Sequence, residues 1–173
     1  MNEVLATIGV RRSVRRFTTD PVPVGSVKAI LEAARRAPSA GNLQPWLFVV
    51  VENRRLKEGL ARAAGQSFVA SAPLCLAVWA EPERSARVYG QRGRDLYCYQ
   101  DTAAAVQNAL LAAASLGLGA CWVGAFDEAV VGETLGLASG LRPVALVPVG
   151  YPAPERAGGT TRRDMGEVAV FLP

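Results

Sequence analysis

Four arginines and a serine lie within seven residues near the N-terminus, in the segment RRSVRRF at positions 11–17. Arg11, Ser13 and Arg15 alternate, so in an extended segment they would face the same way. Several guanidinium groups that form charge-assisted hydrogen bonds are a strong means of holding a phosphate. The same cluster could instead be a solvated basic face. Nucleic acid is the weakest interpretation, because there is no aromatic interleaving and no similar basic run before Arg162 and Arg163.

A second polar segment, PSAGNLQ at positions 38–44, follows a predicted helix and leads into an apolar run. Loops at the ends of strands are favoured ligand sites in open α/β sheets. Asn42 and Gln44 carry amides that both donate and accept hydrogen bonds, as a planar heterocycle would require. An ordinary helix–strand loop has a similar composition, so this segment alone leaves both interpretations open.

The chain contains no histidine, and this absence removes whole classes of site chemistry. Ser-His-Asp and Cys-His nucleophile systems are excluded in their usual form, as are most transition-metal sites, because imidazole is their commonest ligand. Cys75, Cys98 and Cys121 form no CxxC pair, which argues against a disulfide framework and a zinc site. No carboxylate pair suggests acid–base catalysis, and no Walker A or GxGxxG pattern supports a nucleotide fold. A bound cofactor is therefore expected to carry any enzymatic chemistry.

Length and composition indicate one domain over residues 1–173 with a core of its own, since half of the 173 residues are hydrophobic and 20% are charged. The net charge of +4 suits an anionic ligand but not a dedicated nucleic-acid binder. No apolar run reaches the roughly 18 residues of a membrane span. No basic region precedes an apolar stretch at the N-terminus. We therefore expect a cytoplasmic protein with no membrane partner.

Apolar periodicity and turn signals predict alternating helices and strands. Helices are predicted over residues 3–10, from Val24 to before Pro38, from the Asn53 cap to about Ala64, over 99–118, and from the Asp127 cap to about Gly136. Strands are predicted over residues 45–51, 74–80, 120–124, 143–150 and 168–172. Residues 81–96 are expected to form a loop or an irregular segment, and residues 151–166 a loop. Long elements that alternate in this way indicate a sheet with helices on both faces.

The longest predicted helix is rich in alanine and carries polar residues that need partners, among them Gln100, Asp101, Gln107 and Asn108. We expect these partners to be backbone groups of a neighbouring subunit rather than substrate. Trp46 and Trp79 are expected in the core or an interface, whereas Trp122 suits either packing or a ligand equally.

Five motifs occur together in the order and approximate spacing of a known family: RRSVRRF, PSAGNLQPWLFVVV, YQDTAAAVQNALLAAASLGLGACWVGAFD, VALVPVGYP and TTRRDMGEV. With them the sequence resembles the FMN-dependent nitroreductase family over nearly its whole length. The resemblance implies an α+β fold of three α-β-α layers, with a central mixed sheet and helices on both faces. It also implies a homodimer with two FMN sites at the interface, each built from both chains.

The resemblance assigns roles to residues of all three segments. The phosphate-binding positions match Arg11, Ser13 and Arg15, with Arg12 beside them, and near the C-terminus Arg162 or Arg163. The loop that meets the flavin from the partner chain matches Pro38, Ser39, Ala40 and Asn42, with Gln44 close by. The stretch against the isoalloxazine ring matches Trp122, Val123 and Gly124.

The implied reaction is ping-pong hydride transfer from NADH or NADPH, through FMN, to nitroaromatics, quinones or similar flat acceptors. Backbone N–H groups near the flavin can stabilise the reduced ring, so neither a catalytic side chain nor a metal is expected. Flavin-fragmenting, dehalogenating or peptide-oxidising chemistry and a non-catalytic redox sensor are the alternatives.

Two departures from the family pattern concern the periphery of the site. The region at 81–96 is short where larger relatives carry a helical cover, which leaves the acceptor and the nicotinamide preference open. The last motif reads RRDMGEV where many relatives have a proline and leucine after the arginines. Asp164 puts a negative charge next to the expected phosphate partners, so Arg162 is favoured over Arg163.

Overall fold

The computed structural model describes residues 2–137, 140–154 and 160–172. Four strands form one sheet in the spatial order β1-β2-β4-β3: β1 is Trp46–Val51, β2 Leu74–Ala80, β3 Gly119–Ala120 and β4 Arg142–Gly150. All three pairings between these strands are antiparallel. Among the described residues, parallel pairing occurs only in an isolated bridge between Ser13 and Ala120. This bridge supplies the mixed character of the expected sheet.

Eight α-helices accompany the sheet in the described parts of the chain. They are α1 Glu3–Val10, α2 Val24–Arg35, α3 Arg54–Ala64, α4 Phe68–Ser71, α5 Pro82–Arg92, α6 Cys98–Ser115, α7 Glu128–Leu135 and α8 Met165–Val168. The two predicted caps are present: Asn53 accepts from the Leu56 N–H, and Asp127 accepts from the N–H groups of the first turn of α7.

The central strands are apolar on both faces because helices cover both. β2 is buried along its whole length, and its successive side chains point to opposite sides. Leu76 and Val78 pack in a core with residues of α2 and α6. Cys75 and Ala77 pack in a second core with Leu60 of α3 and residues of α4 and α7. The α+β fold with three layers is therefore confirmed.

The expectation of a loop at residues 81–96 is wrong. α5 occupies most of it, kinks at Gly90 (φ 57°, ψ −143°), and continues through a π-helical turn at Gly93–Tyr97 into α6. A methyl group on Gly93 would lie 2.4 Å from the Ser85 carbonyl oxygen, so glycine allows this segment to fold back on itself.

The expected C-terminal strand at 168–172 is also not found within the chain. Val168 ends α8, and the residues after it pair with no strand among those described. Val170, Phe171 and Leu172 are 84%, 88% and 86% exposed. A strand requires a hydrogen-bonding neighbour, and the described residues of this chain offer the tail none. Of the predicted loop at 151–166, residues 155–159 lie outside the described residues.

The strand predicted at 120–124 is shorter than expected. β3 ends at Ala120, and Val123 rejoins the sheet through an isolated bridge to Leu146. Within the described ranges, no helix combines the length and apolar composition needed to cross a bilayer.

Candidate functional site

The arginine-rich segment runs extended along the short edge strand β3. The Val14 N–H donates to the Ala120 carbonyl at 3.0 Å, and Ser13 bridges the same residue. Val14 is only 6% exposed and packs on Gly119. Because alternate side chains of an extended segment point in opposite directions, the inward Val14 directs Ser13 and Arg15 outward, where both are exposed. Arg12 and Arg16, on the Val14 side of the alternation, are exposed as well, and Arg11 lines a small cavity together with Arg12 and Val14, so the common face expected for Arg11, Ser13 and Arg15 stays a prediction.

Arg11 is half-buried, and its Nε is buried with no hydrogen-bond partner among the described residues. A buried donor without an acceptor costs about 1–3 kcal/mol, and more when the donor is charged. An anion at this position would satisfy it. The orphaned guanidinium N–H therefore fits the phosphate of the implied cofactor.

The neighbouring arginines are not neutralised either. Within the described part of the chain, Arg12, Arg15 and Arg16 have no carboxylate within ion-pair distance. Arg12 is exposed on the side opposite to Arg15 in the alternation. The Arg15 guanidinium carbon lies 6.0 Å from the centre of the Phe68 ring, at the outer limit of a cation–π contact. The segment thus presents uncompensated positive charge beside β3.

The segment at 122–124 lies directly beyond β3 and so next to the arginines. Val123 is buried, and it exchanges two backbone hydrogen bonds of 2.9 Å with Leu146. Trp122 and Gly124 are exposed on either side of it. The Gly124 N–H has no hydrogen-bond partner among the described residues, and a methyl group on Gly124 would lie 3.7 Å from the Trp122 indole nitrogen. A flat ring could therefore lie against this backbone and accept from it.

Trp122 and Gly124 also line a cavity of about 320 Å³ that sequence reasoning did not find. Arg142 lines this cavity. Its guanidinium pairs with Glu128 at 2.9 Å and donates a hydrogen bond to the Tyr99 hydroxyl at 3.1 Å. These contacts raise the pKa of Arg142. Because its side chain is already engaged, Arg142 shapes the cavity rather than offering a free cation to it.

The second predicted loop adopts a strained turn. Gly41, Asn42 and Gln44 have φ values of 57°, 54° and 51°, in the left-handed region. Residues other than glycine rarely adopt this region, at a cost of order 1–3 kcal/mol each, and such residues cluster at functional sites. Inside the turn, the Gln44 N–H donates to Ser39 Oγ at 3.0 Å. Pro38 and Asn42 are exposed, whereas Ser39, Ala40 and Gln44 are half-buried.

Asp101 anchors this loop from α6. Both carboxylate oxygens accept from the Ala40 N–H, at 3.1 and 3.2 Å. Asp101 is 8% exposed; burial raises the pKa of its carboxyl, and the bond from Ala40 opposes that rise. Asn108, on the same helix, donates to the Ala33 carbonyl at 3.0 Å. The backbone partners expected in a neighbouring subunit therefore lie in the same chain for these two residues.

α5 holds the same loop from the other side. The Arg84 guanidinium donates to the Leu43 carbonyl, and the Glu81 N–H donates to the Pro45 carbonyl at 3.0 Å. A methyl group on Gly41 would lie 2.7 Å from the Tyr89 hydroxyl, so the two segments are in close contact. The sequence carries no signal for Arg84 or Tyr89, because both fall in the region taken for a loop.

The two halves of the predicted site lie far apart within one chain. The loop precedes β1 at one edge of the sheet. The arginine segment lies beside β3 at the other edge, four strand spacings or roughly 19 Å from β1. The two parts are also displaced along the strands. Trp46 at the start of β1 lies across β2 from Arg142 at the start of β4, whereas Ala120 of β3 pairs with Val149, about 23 Å further along β4. No hydrogen bond or ion pair among the described residues joins them.

The C-terminal arginines are likewise not joined to RRSVRRF by any such contact in the described ranges. Arg162 donates to Thr160 and Thr161, whereas Arg163 donates to the Glu167 carbonyl at 3.0 Å. Asp164 caps α8 in a capping box with Glu167. Its charge is thus directed to the helix N-terminus. Arg163 also pairs with the Glu167 carboxylate at 3.6 Å, whereas Arg162 has no carboxylate partner in the described ranges.

Comparisons with known proteins agree on one family. The model of the nitroreductase family matches residues 8–71 and 61–151. A relative from Thermus thermophilus, named NADH dehydrogenase, is 37% identical over 84% of each chain. A crystal structure from Desulfovibrio desulfuricans, described as a nitroreductase in complex with FMN, is 34% identical over 100% of this chain and 98% of its own, with a TM-score of 0.87. The NADPH:FMN oxidoreductase of Vibrio harveyi, solved with NAD+, is 29% identical over 98% of this chain and 76% of its own, with a TM-score of 0.88.

Proposed function

The chain belongs to the nitroreductase family, and from this premise we propose that it is an FMN-dependent NAD(P)H oxidoreductase. The observation that carries the proposal is the arginine segment on β3, with the orphaned Arg11 Nε and the open backbone at Gly124 beside it. Relatives that bind FMN or use NADPH support the assignment of cofactor and donor. Because NADH and NADPH, the proposed electron donors, are produced in the cytoplasm, we expect the enzyme to be located there.

Two groups of residues divide the work of binding FMN in this proposal. Arg11, Ser13 and Arg15 neutralise and hydrogen-bond the phosphate, with Arg12 at the periphery. Trp122, Val123 and Gly124 would support the ring, and we assign the Gly124 N–H, which has no partner among the described residues, as a donor to it. Bound FMN would supply the chemistry of hydride transfer between the nicotinamide and the acceptor. The protein needs no acid–base side chain for this transfer.

The site requires a second copy of the chain. One chain holds its arginine segment and its 38–44 loop at opposite edges of the sheet. Val4, Leu5 and Ile8 of α1 are 62%, 60% and 48% exposed, and the apolar tail after α8 is exposed as well. Exposed apolar surface of this extent is typical of an interface. We therefore infer a homodimer in which Pro38, Ser39, Ala40, Asn42 and Gln44 meet the flavin of the partner, and Arg162 or Arg163 reaches a phosphate.

Flat acceptors such as nitroaromatics or quinones fit a reaction in which donor and acceptor alternate over the same ring face. The cavity of about 320 Å³ beside Trp122 offers room for a small aromatic molecule. Specialised flavin chemistry or a redox-sensing role would use the same FMN site and is distinguished by turnover.

The visible absorption spectrum of the purified protein tests the proposal, recorded anaerobically before and after NADH or NADPH. A flavin spectrum that either nicotinamide bleaches, and that a quinone restores, supports the oxidoreductase. A flavin spectrum that neither bleaches would favour the specialised enzyme or the sensor. A protein that takes up no FMN would contradict the proposed site.

A further inference from the structure

Asp101 is a buried carboxylate in the first turn of α6. It is 8% exposed, and no basic side chain lies within ion-pair distance of it in the described part of the chain. Burying a carboxylate without a cation is costly unless hydrogen bonds compensate. The compensation comes from the Ala40 N–H, which is 61 residues away in sequence.

That N–H belongs to the strained turn. Ala40 is the residue just before the three left-handed positions at Gly41, Asn42 and Gln44. A strained turn persists only where the surrounding structure holds it in place. α6 is the longest helix of the chain and packs on both α2 and the sheet, so it provides a rigid base for such an anchor.

We propose that Asp101 is a positioning residue, which acts through the Ala40 N–H to hold the 38–44 loop against the FMN bound by the partner subunit. The inference rests on the proposed FMN site and dimer. Asp101 lies on α6 behind the loop and orients the residues that would contact the cofactor.

Single variants separate this role from a general effect on folding. Asp101→Ala removes the acceptor and should weaken FMN binding about tenfold, since a hydrogen bond to a charged group is lost. Asp101→Asn keeps an amide oxygen for the Ala40 N–H and should stay within about threefold of the unaltered protein. Asn108→Ala is the matched control, because it removes a side-chain bond from the same helix to α2 and leaves the loop anchor intact. It should leave FMN affinity unchanged.

Mixed dimers test whether the effect crosses the interface. Two differently tagged chains are co-expressed, and the dimer that carries both tags is purified. In the first arrangement one subunit carries Asp101→Ala and the other carries Arg11→Ala with Arg15→Ala. If Asp101 serves the partner's flavin, one site keeps both an intact phosphate segment and an intact loop. In the second arrangement all three changes lie in one subunit and the other is unaltered, so each site has one defect.

The expected result, measured by fluorescence titration with FMN, is one site of unaltered affinity in the first mixed dimer and no site of unaltered affinity in the second, where the better site is about tenfold weaker. The reverse pattern would show that Asp101 acts on its own subunit's site and would overturn the proposal. Full FMN affinity in Asp101→Ala, an equal loss in Asn108→Ala, or no rescue by Asp101→Asn would also overturn it. Failure of the proposed function itself is recognised separately, because the unaltered protein would then bind no FMN.

Discussion

Replacing Gly119 with alanine should weaken FMN binding, although Gly119 is not among the predicted cofactor contacts. A methyl group at this position would lie 2.7 Å from Cβ and Cγ1 of Val14 and 2.8 Å from its Cγ2. Val14 is buried and branched at Cβ, so it cannot rotate away. The backbone of the arginine segment must therefore move away from β3, and Ser13 and Arg15 move with it.

The size of the effect follows from these contacts. The shortest separations must grow from 2.7 Å to at least 3.4 Å, a shift of about 0.7 Å. Overpacking of this kind costs about 1–3 kcal/mol of folding stability. The shift also strains the 3.0 Å bond from the Val14 N–H to Ala120 and displaces the phosphate donors. Loss of one charge-assisted hydrogen bond to the phosphate is worth about 1.5–3 kcal/mol, or roughly a ten- to hundredfold weaker Kd.

The assay is a fluorescence titration with FMN at a temperature where the variant is folded, together with thermal unfolding of the apoprotein. Gly132→Ala is the matched control, since a methyl group there meets no atom within 4 Å in the middle of α7. It should preserve FMN affinity and leave stability equal or slightly higher. Normal FMN affinity in Gly119→Ala would refute the reasoning that β3 positions the phosphate donors.

Three further predictions concern the charged and strained residues. Arg11→Ala combined with Arg15→Ala should weaken FMN binding by about a hundredfold or more. Arg16→Ala, on the other side of the extended segment, should have little effect. Equal losses of FMN affinity, measured by titration, would contradict the prediction that alternate residues of this segment bind the phosphate. Asn42→Ala should slow reduction of FMN in stopped-flow experiments or weaken its binding, and Asn42→Gly, which tolerates φ 54°, isolates the contribution of the amide; if both variants match the unaltered protein, Asn42 does not belong to the site. Burial raises the pKa of the Asp101 carboxyl, so its ionisation opposes folding. In urea unfolding, the unaltered protein should therefore gain stability relative to Asp101→Asn as the pH falls from 7 towards 4. A stability difference that does not depend on pH would show that the pKa of Asp101 is not raised.

Local signals predicted most elements of the fold correctly. The caps at Asn53 and Asp127 and the fully apolar run of β2 determine their elements from nearby residues alone. These predictions succeeded because the deciding interactions lie within a few residues along the chain.

The prediction of a loop at residues 81–96 failed because the helix there is stabilised by contacts that are not apparent from the sequence. Arg94 pairs with Glu83 at 2.7 Å across eleven residues, a spacing that appears in the sequence as scattered charge. Gly90 and Gly93 resemble loop glycines but serve a kink and a close approach within a helical segment. The hydrogen bond that anchors the 38–44 loop to Asp101 was missed for the same reason. Ala40 and Asp101 are 61 residues apart in the sequence, and only tertiary packing brings them into contact.

The C-terminal prediction shows how a local pattern can be informative even where it is wrong for a single chain. The run VAVFL has the composition of a strand, but its residues are exposed and the described residues pair it with nothing. The arginine segment and the 38–44 loop are similarly complete as local structures and yet lie at opposite edges of one sheet. The homodimer we propose would account both for the exposed apolar residues on α1 and the tail and for a candidate cofactor site whose parts lie at two edges of the sheet. In that dimer, burial of the apolar surface and completion of the FMN site would be the same event.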